Sequence, residues 1–156
     1  MVGESVDEKE LDALVQGIHG AGMVPLVIAP KGGPVAGEIV AQRTYLTAAS
    51  IELDAVVVAS PAAPAADAAP RLDQKAGAAD SEAVDPRVVK VLQEMWRHSK
   101  AILALEPAEA VLAAAQVSGK GVESAADGAA AVAALKQLLP AHRVWDRFPT
   151  TGRLAD

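Results

Sequence analysis

The stretch Asp54–Ser60, which reads DAVVVAS, decides the fold class of this chain. Three consecutive valines between small residues predict a strand buried on both faces, because half-exposed strands alternate apolar and polar residues. Two further apolar runs, residues 24–29 and 100–105, have the same character. Helical patterns lie between these runs, and strands that alternate with helices indicate a parallel α/β sheet. Ligands of such sheets bind at the carboxyl ends of the strands, so functional residues are expected just after Ser60 and Ala104.

Composition limits the classes of function. The 156 residues carry 14 basic and 20 acidic side chains, and the net charge of −6 disfavours nucleic acids and anionic membranes as partners. There is no cysteine, which excludes disulfides, thiolate nucleophiles and zinc–thiolate sites. The length of 156 residues predicts a single domain. No apolar run is as long as a membrane span and no signal peptide is recognisable, so a cytoplasmic location is expected.

Capping residues and apolar spacing place the other elements. Ser5 and Glu8 have the spacing of a capping box, which opens a predicted helix over residues 6–21. Asp85 caps a second predicted helix, over residues 86–99. Later helices are predicted after Pro107, after Asp127 or Gly128, and over residues 141–148. A small hairpin is predicted to pair residues 39–40 with 44–46. Residues 61–81 are expected to form a long loop and 149–156 a tail.

Few candidate catalytic residues lie where the strands are predicted to end. A nucleophile elbow would place Ser or Cys on the turn after Leu103, but the chain continues with Ala104, Leu105 and Glu106. Glu106 is interpreted as an acid that matches the dipole of the next helix. Ser60 offers a hydroxyl without an obvious base. The three histidines do not have the spacing of a closed metal site.

The carboxyl-terminal segment is the most specific part of the sequence. Residues 139–149, LPAHRVWDRFP, closely resemble the end of the extra domain that large-subunit haem catalases carry after their catalytic core. The order of the first helix, the 54–60 strand, the helix after Asp85 and the 101–104 strand agrees, so the resemblance covers the chain from Val6 onward. That extra domain resembles the class I glutamine amidotransferase-like superfamily, a flavodoxin-like group that includes PfpI-type proteins. The resemblance implies a doubly wound, mostly parallel sheet with helices on both faces.

The resemblance also implies where chemistry has been lost. Active members of the superfamily carry a Cys at the elbow and an acid near the start of the first helix, positions that fall near Ala104 and Glu10. Both are interpreted as vestigial, since the chain has no thiol. Haem would belong to the catalase core of the parent, which supplies an Arg-x-x-x-Tyr arrangement, a His and an Asn. This chain has no Asn and Tyr45 has the wrong spacing from Arg43, so no cofactor is expected here.

The function that this resemblance implies is structural. The chain is interpreted as the non-catalytic, oligomer-supporting C-terminal domain of a large-subunit catalase, whose parent reaction is the disproportionation of hydrogen peroxide. Its expected partners are the catalase core or other subunits, in a homo-oligomer. Trp145 and Phe148 are expected to anchor the end of the chain to the domain or a partner. Arg143 and Arg147, at i and i+4, are expected to form a basic edge for an acidic partner or a solvated face.

Two other functions stay open at this point. One is a free-standing binding or chaperone-like module of the same fold, which exposed apolar patches would favour. The other is a degraded amidotransferase or PfpI-like hydrolase.

The start of the sequence raises a separate expectation. In the family that the chain resembles, a strand precedes the first helix and lies within the sheet. Here Met1, Val2, Gly3 and Glu4 precede Ser5, whereas a strand usually takes about 5–6 residues. The first strand is therefore expected to be missing and the chain to be a fragment that begins just after it.

Overall fold

The computed structural model describes residues 1–4, 6–62 and 84–147. Its strands are β1 (Ile28–Ala29), β2 (Gly33–Ala36), β3 (Ile39–Ala41), β4 (Arg43–Thr44), β5 (Ala55–Val58), β6 (Ala101–Leu105) and β7 (Val122–Ala125). Its α-helices are α1 (Glu8–Gly20), α2 (Pro86–Arg97), α3 (Glu109–Ala114) and α4 (Gly128–Leu138). From β5 onward strands and α-helices alternate, as the apolar runs predicted, whereas β1 to β5 follow one another without an α-helix between them.

The valine-rich stretch becomes β5, the first strand of a parallel sheet with the order β5-β6-β7. Val56 lies opposite Ile102, and Ile102 lies opposite Val122. Val56, Val57 and Val58 are all buried, and so is every residue of β6. Continuous burial requires cover on both faces, which explains why these strands lack apolar–polar alternation.

Helices cover both faces of this sheet. Leu11 and Leu14 of α1 and Leu135 of α4 pack in one apolar cluster with Leu103 of β6. On the opposite face, Ile102 and Ala104 pack in a second cluster with residues of α2 and α3, which are Val88, Val91, Leu92, Met95 and Val111. The side chains of β6 alternate between the two clusters, so the predicted doubly wound α/β architecture is present.

Met1, Val2 and Gly3 lie between β1 and β5, in the place of the strand that was expected to be missing. The Met1 amino group donates to Val57 O at 2.7 Å, and Ala59 N donates to Met1 O at 2.9 Å. These two bonds flank Val58 in the pattern of a parallel pair. On the other side, Val2 N donates to Ile28 O at 2.9 Å. The segment therefore joins β1, which pairs with β4 in parallel, to β5.

A cavity of about 580 Å³ continues the line of this segment beyond Met1. Its walls include residues 22–28 on one side and 52–57 on the other, with Leu11, Leu14 and Leu135 among the apolar side chains that line it. The predicted strand over residues 24–29 is correspondingly short, since pairing is regular only at Ile28–Ala29. Residues 24–27 border the cavity, where a neighbouring strand would be needed to extend the pairing.

Aspartates cap three helices. Asp85 and Asp127 accept from backbone N–H groups in the first turns of α2 and α4, and the cap at Asp85 is as predicted. For α1 the predicted cap, Ser5, was wrong: Asp7 is the N-cap, and its Oδ1 accepts from Glu10 N at 2.9 Å. Burial opposes ionisation of Asp85, but hydrogen bonds and the charge of Arg87 outweigh it and lower the pKa of this carboxyl.

The predicted hairpin over residues 39–46 was wrong. The hairpin pairs β2 with β3 and turns at Gly37, whose φ of +54° favours glycine. Thr44 lies in β4 beside β1, and Tyr45 leaves the sheet edge to enter the core, 2% exposed. The Tyr45 hydroxyl donates to Val2 O at 2.6 Å. Burial of the ring and this bond explain why the aromatic residue is not part of a surface hairpin.

The last predicted helix, over residues 141–148, was also wrong. Two short 3-10 turns, Leu139–Ala141 and Trp145–Arg147, stand in its place, and His142 between them has a φ of +61°. A left-handed residue at this point interrupts any helix. Phe148, the tail over 149–156 and most of the predicted 61–81 loop lie outside the described residues. Within the described ranges, no helix combines the length and apolarity that crossing a membrane requires.

Candidate functional site

The turn after β6 is where a nucleophile would lie in an active relative. Ala104 is inside β6 and fully buried, and the strand continues to Leu105, so the expected elbow position was placed too early. A 3-10 turn, Glu106–Ala108, follows and leads into α3. Leu105 has an ordinary extended backbone, with φ −69° and ψ 151°. Nucleophile elbows are strained, so this turn lacks the geometry as well as the nucleophile.

The two vestigial positions belong to elements that pack on different faces of the sheet. Ala104 packs on the face of the sheet covered by α2 and α3, whereas α1, which carries Glu10, packs on the opposite face. The Glu10 backbone N–H is used in capping α1 by Asp7.

The strand-end hydroxyl of Ser60 has a structural role. Ser60 is 4% exposed, and its Oγ accepts from Gly3 N at 2.7 Å. This bond fixes the end of β5 to the amino-terminal segment. Among the described residues, no group of three or more His, Asp or Glu side chains is placed to hold a metal ion.

Within the carboxyl-terminal segment, Val144–Arg147 provides the second candidate site. Arg147 Nε donates to Lys120 O at 2.7 Å, and Nη1 donates to Lys100 O at 2.9 Å. Its guanidinium lies 6.0 Å from the centre of the Trp96 ring. Val144 N donates to Ser99 O at 2.6 Å. Arg147 therefore clamps the start of β6 to the loop before β7.

The expectation of Arg147 on a basic edge was wrong for this reason. Its guanidinium is directed into the domain, its Nη2 is buried, and burial lowers the pKa of the group. Gly121 makes room for the clamp, because a Cβ there would lie 2.4 Å from Val144 Cγ2. Sequence spacing missed this role, since it assumed a helix over residues 141–148 and projected Arg143 and Arg147 onto one outer face.

Trp145 and Arg143 lie nearer the surface. Trp145 is 60% exposed, and its Nε1 donates to Ala141 O at 3.2 Å. Arg143 is partly buried, and its Nη1 donates to His98 O at 3.1 Å. The chain end is held by Arg147 and the backbone of Val144 more than by the Trp145 ring, while Phe148 is outside the described residues.

Trp145 and Arg143 border a cleft of about 520 Å³, which we call the basic cleft. Its lining consists of Ile51, Arg97, His98, Lys100, Arg143 and Trp145. His98 ends α2, and its Nδ1 lies 2.9 Å from Ser50 Oγ. The cleft thus lies where α2 ends and β6 begins, beside the carboxyl-terminal segment.

Lys100 is the most deeply buried member of the basic cleft, 3% exposed. Its Nζ donates to Ser50 O at 2.5 Å and also to Leu53 O. Burial is the main cause that lowers the pKa of Lys100, the charge of Arg143 adds to it, and Asp54 partly offsets both. This role was not predicted, because Lys100 is interpreted from the sequence as the polar start of an apolar strand.

Solved structures of similar fold identify the class of protein. One is a ThiJ/PfpI domain protein from Brachyspira murdochii, with 13% identity and a TM-score of 0.54 over 90% of this chain and 72% of that chain. Another is a two-domain protein from Anabaena variabilis with DJ-1/ThiJ/PfpI-like and ferritin-like domains, with 16% identity and a TM-score of 0.56. The match covers 99% of this chain and 51% of that one. At such identities the likeness shows the fold, which is of the DJ-1/ThiJ/PfpI-like class.

The family is more specific than the fold. The family model described as the C-terminal domain found in long catalases matches residues 2–149, and the chain belongs to that family. The resemblance of residues 139–149 to large-subunit catalases is thereby confirmed. No curated protein matches the chain.

Proposed function

We propose that this chain is a non-catalytic structural domain that supports the assembly of a large-subunit haem catalase. The parent enzyme disproportionates hydrogen peroxide with haem held by its catalase core, and this chain holds no cofactor. The domain contacts the core or neighbouring subunits of a cytoplasmic homo-oligomer. The family match to C-terminal domains of long catalases supports the parent reaction.

The observation that carries the non-catalytic role is the turn after β6. An active relative needs a nucleophile on a strained turn, with backbone donors and an acid beside it. In this chain Ala104 is buried within the strand, and Leu105 has an unstrained backbone. Each of these facts removes one part of the required arrangement.

A haem titration of the isolated chain tests whether it binds haem and decomposes peroxide. We expect no Soret band of a stoichiometric complex and no oxygen evolution from peroxide, because the chain has no Asn and its one Tyr is buried with its hydroxyl bonded to Val2 O. A stoichiometric Soret band with peroxide turnover would contradict the proposal.

The assembly role is tested on the complete catalase polypeptide, with and without this domain. We expect sedimentation to show a weaker oligomer, or a smaller one, after the domain is removed. An oligomer of unchanged size and unchanged concentration dependence would contradict the structural role and would favour the alternative of an independent binding module. The exposed apolar side chains of Val24, Leu46 and Ile51 are what that alternative would use.

A further inference from the structure

The basic cleft concentrates positive charge on a chain whose net charge is −6. Arg97 is in the last turn of α2, and Arg143 reaches the same helix end through its bond to His98 O. The positive charge of Arg143 acts on Lys100, whose ammonium donates hydrogen bonds to the carbonyls of Ser50 and Leu53. Asp54 is the carboxylate whose charge acts on Lys100 in the opposite sense. The cleft therefore favours an anionic ligand group.

Apolar side chains lie beside these cations. Ile51 is 82% exposed and Trp145 is 60% exposed, and both line the cleft. Covering the exposed parts of such apolar side chains with a partner stabilises a complex. Trp and Arg are also the residue types that most often carry the binding energy of protein interfaces. The cleft thus offers an apolar contact area next to paired cations.

We propose that the basic cleft docks an acidic protein segment that places an apolar side chain against Ile51 and Trp145 and carboxylates against Arg97 and Arg143. The inference rests on the proposed function, because a domain without chemistry of its own acts through contacts. It adds the location of the contact surface and the chemistry of the partner segment.

The net charge of the chain favours an acidic protein segment over nucleic acids and anionic membranes as the ligand of the basic cleft. Nucleic acids and anionic membranes present extended negative surfaces, which the net charge of −6 over the whole chain repels. A short acidic segment meets only the local positive field of the cleft. The apolar pair of Ile51 and Trp145 also has no counterpart on a phosphate backbone, whereas a protein loop supplies such a side chain readily.

Binding of a capped, fluorescent peptide to the 156-residue chain tests the proposal. The probe alternates acidic residues with two leucines, and its control has lysine in place of every acid. We expect saturable binding of the acidic probe, measured by anisotropy, that weakens as salt is raised, and no binding of the lysine control. Absence of saturable binding, or equal binding of both peptides, would overturn the proposal.

Substitutions locate the binding. We expect Trp145→Ala to weaken binding at least about 10-fold, and Arg143→Gln about 3–10-fold, with Arg143→Lys closer to the parent chain. Ile51→Ala should weaken binding, whereas Val24→Ala, which alters an exposed side chain outside the lining of the cleft, should not. Lys136→Gln is the matched charge control on α4. Equal effects of the cleft and control variants would place the peptide elsewhere and overturn the proposal.

Two further measurements separate other occupants. If the Trp145→Ala and Arg143→Gln variants abolish self-association of the chain while the peptide fails to bind, the occupant is a second copy and the proposal is wrong. Preferential binding to vesicles containing anionic lipid would also overturn it. Failure of peptide binding, together with an oligomer of the complete catalase that still depends on this domain, would overturn the docking site and leave the proposed function standing.

Discussion

The two ends of the described chain are held to the same domain in different ways. Met1–Gly3 is held mainly by backbone hydrogen bonds to β1 and β5, with a cavity of about 580 Å³ beyond it. Val144–Arg147 is held mainly by one side chain, since Arg147 donates to the carbonyls of Lys100 and Lys120. The first attachment depends on neighbouring strands, and the second depends on the identity of a single residue.

Each attachment buries a cationic group, and the two groups respond differently. Burial lowers the pKa of the Met1 amino group to about 5, so this group is neutral at physiological pH. Burial also lowers the pKa of Arg147, but the ordinary value of a guanidinium is so high that the charge remains. The remaining charge strengthens the bonds of Arg147 to backbone carbonyls. The amino end therefore loses stability with acid, whereas the carboxyl end does not.

The largest effect is expected from filling the cavity at the amino end. Adding about five residues with β-branched side chains ahead of Met1 should raise the free energy of unfolding by about 3–6 kcal/mol, since two or so apolar side chains become buried and residues 24–27 gain a pairing partner. Chemical denaturation measures the change. A glycine–serine extension of the same length is the control, and an equal effect of both would show that the cavity is not filled.

The pH dependence of stability is expected to be the next largest effect. Between pH 5 and 8 the unfolded amino group holds its proton while the folded one, with a pKa of about 5, does not. The unfolded state binds more protons in this window, so stability should rise with pH, by about 4 kcal/mol in total. Denaturation at several pH values measures the slope. Acetylation of the amino group should remove most of it, and an unchanged slope would contradict the burial of this group.

Replacement of the arginine clamp should cost somewhat less. We expect Arg147→Met to lower the free energy of unfolding by about 2–4 kcal/mol, because the carbonyls of Lys100 and Lys120 lose their donors. Arg143→Met, which removes one bond to His98 O from a partly buried side chain, should cost about 1 kcal/mol or less. Thermal melts of both variants measure the difference, and equal losses would contradict the clamp.

The smallest effect is expected at Trp145. Its exposure of 60% predicts that Trp145→Ala changes the stability of the isolated chain by less than about 1 kcal/mol, although the sequence predicted an anchor to the domain or to a partner. Trp96→Ala is the matched comparison, because Trp96 donates to Ser118 O and its ring faces the Arg147 guanidinium. A larger loss of stability for Trp145→Ala than for Trp96→Ala would contradict this prediction and show that Trp145 anchors the end of the chain.

The parts of the fold that the sequence predicted are those with a local signal. The apolar runs of β5 and β6, the cap at Asp85 and the helix start at Gly128 depend on residue type and short spacing, and all are present. β7 has no strong apolar run of its own, and it forms a four-residue strand because β6 offers it an edge. Pairing between segments farther apart decided the rest: the parallel pair of β1 and β4, which takes Thr44 out of the expected hairpin, and the placement of Met1–Gly3.

The candidate site was predictable only in part for the same reason. The absence of a nucleophile after Leu103 could be read directly from the residues. The clamp by Arg147 and the buried ammonium of Lys100 could not, because their partners are backbone carbonyls contributed by loops distant in sequence. A carbonyl acceptor is present at every residue, so no residue type marks it in a sequence.

The most direct test of the central claim compares the complete catalase polypeptide with the same polypeptide lacking this domain. Two quantities are measured on each: peroxide turnover per bound haem, and the half-life of activity at elevated temperature. If the domain is structural, turnover per haem stays the same while the half-life shortens several-fold. A loss of turnover per haem with an unchanged half-life would contradict the account, because it would place chemistry in this domain.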